Sequence, residues 1–184
     1  MSSSMTARQT ETVERLLAAG AEELRATGAE ALTIRTVAGR AGVSPATAYT
    51  YFASKNHLFA ELFWRAVLTD PQPAPVGATP VERVCGVTRH LTALLAASPE
   101  LAAGTTAALL ATDADVARLR LRIGAEFAAR FRAAIGDAAD DVLVETLALA
   151  FSGALLQAGM GLLTYTEMGE RLDAVVATIM RGNA

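Results

Sequence analysis

Thr33, Ser44 and Ser54 each precede a stretch in which a helix can start, and Pro45 stands directly behind Ser44. A Ser or Thr hydroxyl accepts a hydrogen bond from an amide two or three residues on, so it begins one helix while ending whatever came before. Proline suits the first helical position, where its missing N–H has no partner to lose. The spacing therefore predicts three short helices, about 33–40, 45–51 and 55–69. Ile34, Val37, Ala38, Ala41, Val43 and Ala48 are the apolar positions of the first two, and Gly42 lies between them. Small Ala38 lets the backbones approach and Gly42 supplies the turn, which makes the pair a helix-turn-helix.

The rest of the chain is punctuated in the same way. Val13, Leu16, Leu17, Ala21 and Leu24 form a helical stripe with Glu11, Glu14, Glu22 and Glu23 off it. Thr6 and Gln9 suit a capping box at its start, and Gly28 is expected to end it in the left-handed conformation. DPQPAPVGATP, with four prolines, breaks all periodicity. It divides the chain into a head of residues 1–69, a linker of 70–80 and a body of 81–184. In the body, Thr79, Pro80 and Glu82 open a helix to about Ala97, Ser98–Pro99 and Asp113 open two more, and Gly136–Asp137 precede an apolar helix over 139–163. A last helix covers about 167–181. The 184 residues hold 40 alanines against 14 glycines and 6 prolines, and no strand pattern or repeat interrupts the series. The expected fold is all-α, with nine helices.

Charge is distributed unevenly. Ala31 to Ala60 contains no Asp or Glu but does contain Arg35, Arg40 and Lys55, a local charge of +3 in a chain of net charge −3. Such a confined positive patch suits a polyanion met at one face. The second short helix, SPATAYTYF, is uncharged. Its outward positions carry Thr47, Tyr49, Thr50 and Tyr51, whose hydroxyls can reach phosphates or base edges. Tyr49 and Tyr51 are two apart and cannot share one buried stripe, so at least one faces outward.

In AGRAGVSPATAYTYFASKNHLF, the order alanine, Gly-Val-Ser, Thr, an aromatic pair ending in Phe, then Ser-Lys and a leucine resembles the TetR family of one-component transcriptional regulators. The resemblance covers roughly the first 65 residues. It implies that Thr33 and Ser44 cap helices and touch phosphates, that Pro45, Ala46, Thr47 and Thr50 face bases, that Tyr49, Tyr51 and Lys55 grip the backbone, and that Arg35 adds a contact. Many relatives have Lys or Arg where Pro45 stands and Gly where Ala46 stands. Apolar contact with thymine methyls is the route left to these two. The partner implied is a double-stranded DNA operator bound by a homodimer, in the cytoplasm.

The body carries no such signature. Thr146 to Leu163 is uncharged and long enough to raise a membrane span, but Gln157 within it and the absence of a flanking basic cluster favour a soluble helix buried on all sides. Ala150, Ala154 and Ala158 form a small-residue row suited to close helix approach. With Leu172, Val175, Val176 and Ile179 of the last helix they predict a twofold four-helix interface. For an effector, Leu94, Leu109, Leu110, Phe127, Phe131, Phe151 and Met160 supply apolar surface, and Cys85, His90, Thr105, Thr106 and Gln157 the few polar groups. These would suit a hydrophobic small molecule oriented by one or two hydrogen bonds. SPELAAGTTAALL, followed by an Arg-containing helix, is similar to repressors of steroid and lipid catabolism that sense CoA thioesters. Arg118, Arg120 and Arg122 read as a solvated face. Two histidines, one cysteine and no phosphate loop or nucleophile elbow assemble no catalytic or metal constellation, so no enzyme, metal or cofactor is expected. The competing reading is a helical small-molecule-binding or membrane-associated protein that does not bind DNA.

Overall fold

The computed structural model describes residues 6–69 and 75–182, and among them the chain is all-α. The head comprises α1 (Ala7–Ala31), α2 (Ile34–Arg40), α3 (Pro45–Tyr51) and α4 (Lys55–Thr69). The body comprises α5 (Pro80–Ala97), α6 (Pro99–Leu109), α7 (Ala114–Ile135), α8 (Asp141–Gly159) and α9 (Tyr165–Arg181), with a single 3-10 turn, Gly136–Ala138, between α7 and α8. Residues 70–74 of the proline-rich linker lie outside the described residues.

The caps lie where local chemistry puts them. Thr6 with Gln9, Thr33 with Thr36 and Thr79 with Glu82 form reciprocal capping boxes. Ser44 and Ser54 accept the amides of Thr47 and His57. Boundaries differ where tertiary packing intervenes. Gly28 has φ +80° but ψ 172°, so it kinks α1 and one further turn follows. The helix expected over 139–163 ends at Gly159, because Gly161 turns the chain at φ +76°. The last helix begins two residues early, at a capping box of Thr164 with Glu167.

Two large apolar cores result, with a small third cluster of Ala60, Val116 and Leu119 between α4 and α7. Leu16, Leu24, Ile34, Val37, Phe52 and Phe59 build the head core, and Leu91, Phe127, Phe131, Leu147, Phe151 and Leu172 the body core. α4 serves both, through Leu58 and Phe59 above and Phe63 and Val67 below, and α6 lends Ala108 to the head. At the seam α6 lies against α4 so closely that a Cβ on Gly104 would be 2.3 Å from the Phe59 ring.

Cationic side chains close several helix C-termini from outside. Arg15 donates to the Ala41 carbonyl, Arg120 to those of Leu109 and Ala111, Arg83 to those of Ala134 and Ile135, and buried Arg130 to that of Val67. These carbonyls have no intrahelical partner, and a cation also suits the negative end of the helix dipole. The α7 face of Arg118, Arg120 and Arg122 is exposed as expected, and each side chain also has a partner: Arg118 pairs with Asp115, Arg120 caps α6 and Arg122 lies 4.6 Å from the Trp64 ring centroid.

Candidate nucleic-acid interface

The turn between α2 and α3 sets the pose of the recognition helix. Gly42 adopts φ +66° while the amide of Val43 donates to Ala38 and that of Gly42 to Gly39. These are the two bonds of a Schellman motif, which only a residue tolerant of positive φ can close. The Arg15 guanidinium on the Ala41 carbonyl holds the same turn from α1. Buried Ala48 anchors α3 against the head core.

This arrangement leaves Ser44, Pro45, Ala46, Tyr49 and Thr50 exposed on one short helix, with Tyr49 49% exposed. Thr47 is half-buried with its hydroxyl 2.8 Å from that of Ser44, and Thr50 donates to the Ala46 carbonyl. Tyr51 is half-buried against the head core, so the outward aromatic is Tyr49. Thr33 and Arg35 are exposed at the start of α2. Lys55 stands at the start of α4, where its ammonium donates to the Glu30 carbonyl at 2.9 Å.

The local positive charge is smaller than a window of sequence suggests. Arg40 turns to α1, with Nε and Nη2 at 2.8 and 2.7 Å from the buried Glu23 carboxylate and Nη1 at 3.8 Å from Glu22. The window omits these acids because they lie on the preceding helix. Its remaining cations, Arg35 and Lys55, flank α3. Glu23, Arg15 and Asp113 are the contributors sequence reasoning missed. Asp113 reaches from the body to the start of α4, and hydrogen bonds from Ser54 and then Asn56 hold its carboxyl below the ordinary aspartate value.

The expected effector residues do not gather round one cavity. Phe127 and Phe131 pack edge-on against Phe151, with centroids 5.1 and 6.1 Å apart, and the three rings fill the centre of the body. Thr105 is buried, its hydroxyl without a hydrogen-bond partner. Thr106 donates to Ala102 and packs under Gly159. Leu94 and Leu109 are half-buried beside the core, as is His90 on α5. Cys85 is buried, and burial followed by nearby Asp173 raises its thiol pKa. Gln157, Met160 and Leu110 are exposed, so they face away from that core.

Of the residues expected between subunits, Ala158, Leu172 and Val176 are buried in the chain's own core, while Ala150, Ala154 and Ile179 are half-buried and Val175 is 38% exposed. A helix apolar all round does not declare which stripe faces inward, and here Leu143, Leu147 and Phe151 do. The outward stripe runs one position round, through Val142, Leu149, Leu156 and Met160, at 73, 67, 36 and 57% exposed. Among the described residues α8 is the one helix long and apolar enough to cross a membrane, yet its Leu147 and Phe151 pack beside Phe127 and Leu91.

The model of the bacterial regulatory proteins of the tetR family matches residues 16–62. An HTH-type transcriptional regulator of Mycobacterium tuberculosis is 47% identical over 177 residues, which span 95% of this chain and 83% of that one. In fold the chain is similar to a TetR transcriptional regulator from Rhodococcus sp. RHA1, with TM-score 0.79, 21% identity and 94 and 96% of the two chains covered. It is also similar to FadR of Thermus thermophilus, a TetR-family repressor in complex with lauroyl-CoA, with TM-score 0.64, 21% identity and 89 and 92% covered.

Proposed function

Since the chain belongs to the TetR family of bacterial regulatory proteins and is a helix-turn-helix transcriptional regulator, we propose that it is a cytoplasmic homodimeric repressor released from a near-palindromic operator by a hydrophobic small molecule, without enzymatic activity. The observation that carries this reading is the outward face of α3, where Ser44, Pro45, Ala46, Tyr49 and Thr50 stand clear of any acidic side chain of the 31–60 segment. Thr47 and Thr50 face base edges, Pro45 and Ala46 meet thymine methyls, and Thr33, Arg35, Ser44, Tyr49, Tyr51 and Lys55 hold phosphates. Readout of this kind fixes register through the backbone and sequence through the groove.

One head cannot discriminate a long site, so two must be presented with a twofold axis, about 34 Å apart along the duplex. The exposed Val142–Leu149–Leu156 stripe with Val175 supports α8 and α9 as the surface that joins them. The effector would have to part the packed body core, whose centre Phe127, Phe131 and Phe151 fill, and the buried Thr105 hydroxyl, which has no hydrogen-bond partner, would orient it. FadR, which shares the fold, binds lauroyl-CoA, a molecule of suitable chain character. Release follows if the effector prefers the conformation whose heads mismatch the operator.

A salt titration of duplex binding by the purified dimer tests the reading. The logarithm of the affinity should fall linearly with the logarithm of salt, at a slope of about −0.9 per phosphate held. A monomer in solution, or no binding to any duplex at low salt, overturns it.

A further inference from the structure

A trough of about 490 Å³ runs between α1, α4 and the α5–α6 junction, where head meets body. Leu17, Leu24, Leu62 and Leu101 form its walls. The space exists because the positions that could fill it are alanine: Ala18 and Ala21 on α1, Ala66 on α4 and Ala97 at the end of α5. Packed helices stand roughly 8–10 Å apart, and a methyl group does not span that gap. The volume lies within the range of small-molecule sites.

Charge at the trough is balanced. Glu14 and Arg65 form a two-pronged ion pair, with Nη1–Oε2 at 2.6 Å, and Arg25 and Glu100 complete the charged lining. Two cations against two carboxylates give no net preference for a charged ligand, and a charge laid on the leucine walls would lose its hydration. The trough also continues inward. A void of about 20 Å³ shares Ala66, Ser98 and Leu101 with it and reaches Phe63 and Leu94 of the body core.

We propose that this trough is a binding site for an uncharged, apolar small molecule, distinct from the body-core effector site, and that its occupancy changes DNA affinity. Such a molecule touches α1 of the head and the first turn of α6 of the body together, so its own affinity depends on their separation. α6 meets the head along its length, through Leu101 in its first turn, Gly104 against Phe59 and buried Ala108 in the head core, so a change in the gap between its first turn and α1 is passed to the head. By linkage, a ligand that favours one separation shifts DNA binding by the same factor that DNA shifts the ligand's.

The test uses N-phenyl-1-naphthylamine, a neutral apolar fluorophore, titrated into the full chain. Saturable binding is expected, weakened about tenfold (about 1.4 kcal/mol) by Ala21→Leu, whose longer side chain occupies the space the ligand needs. Ala18→Leu, at an exposed position that leaves the core untouched, should act in the same direction. Fluorophore at a concentration just saturating the unsubstituted protein should change its duplex affinity, and change that of Ala21→Leu less. The anionic 1-anilinonaphthalene-8-sulfonate should bind more weakly. Absent binding, affinity unchanged from the unsubstituted protein in both trough variants, or tighter binding of the sulfonate overturns the proposal. Binding lost on Thr105→Val but kept in both trough variants would place the molecule in the body, sinking this site while leaving the effector reading intact.

Discussion

Gly104→Ala probes the seam through which head and body must communicate. The new methyl would lie 2.3 Å from Phe59 Cε1 and 2.7 Å from Cδ1 and Cζ, whereas carbon atoms in contact rest about 3.5–4.0 Å apart. Roughly 1 Å of movement is needed. Phe59 is 1% exposed in the head core and cannot swing into solvent, so the helices themselves must part. Overpacking of this kind costs about 1–3 kcal/mol. Against it, alanine is about 1 kcal/mol better than glycine inside a helix. The net expectation is a loss of up to about 2 kcal/mol, or a Tm lower by up to roughly 8 °C for a chain of this length. Because α4 leads back to α3, duplex affinity should change too. The double variant Phe59→Leu, Gly104→Ala isolates the contact: with the ring gone the methyl has room, so the two substitutions should couple by about 1 kcal/mol or more. Thermal denaturation and fluorescence anisotropy read both effects. A Gly104→Ala protein more stable by about 1 kcal/mol, the bare helix-propensity gain, with unaltered duplex affinity would refute the seat of α6 on Phe59.

Lys55→Ala should weaken binding to all sequences alike and reduce the salt slope by about 1; an unchanged slope removes Lys55 from the phosphates and leaves it only its bond to the Glu30 carbonyl. Gly42→Ala should destabilise by about 1–2 kcal/mol in urea melts, because its φ of +66° strains any side chain although a Cβ there would meet only the Arg15 guanidinium, at an ordinary 3.6 Å. Leu149→Asp, at a 67% exposed position of α8, should leave the fold intact and yield monomers by light scattering with weakened DNA binding. Asp113 has a lowered folded-state pKa, so its contribution to stability is present above its ordinary value of 3.8 and is lost as pH falls through the lower folded value. Asp113→Asn should flatten the acid limb of a pH-stability curve, and an identical limb would detach Asp113 from Ser54.

The caps of α3 and nearly every helix boundary were legible in the chain, because caps and proline positions act over three or four residues and depend on little else, whereas of the four residues expected outward on α3 Thr47 and Tyr51 are half-buried. Thr33, Ser44 and Thr79 bond to their own next turn in any fold that forms the helix, and Gly42 is the residue its turn requires. Even the Thr164–Glu167 box, overlooked against its apolar surroundings, is written in sequence. Only the folded arrangement decided which stripe of α8 faces inward, since a helix apolar on every side carries no internal contrast, and so Ala158, Leu172 and Val176 belong to the body core rather than to an interface. The same holds for charge. Arg40 is neutralised by Glu22 and Glu23, and Arg15, Arg83, Arg120 and Arg130 each close a distant helix end, because a long cationic side chain takes as its partner whatever carbonyl or carboxylate the packing brings within reach.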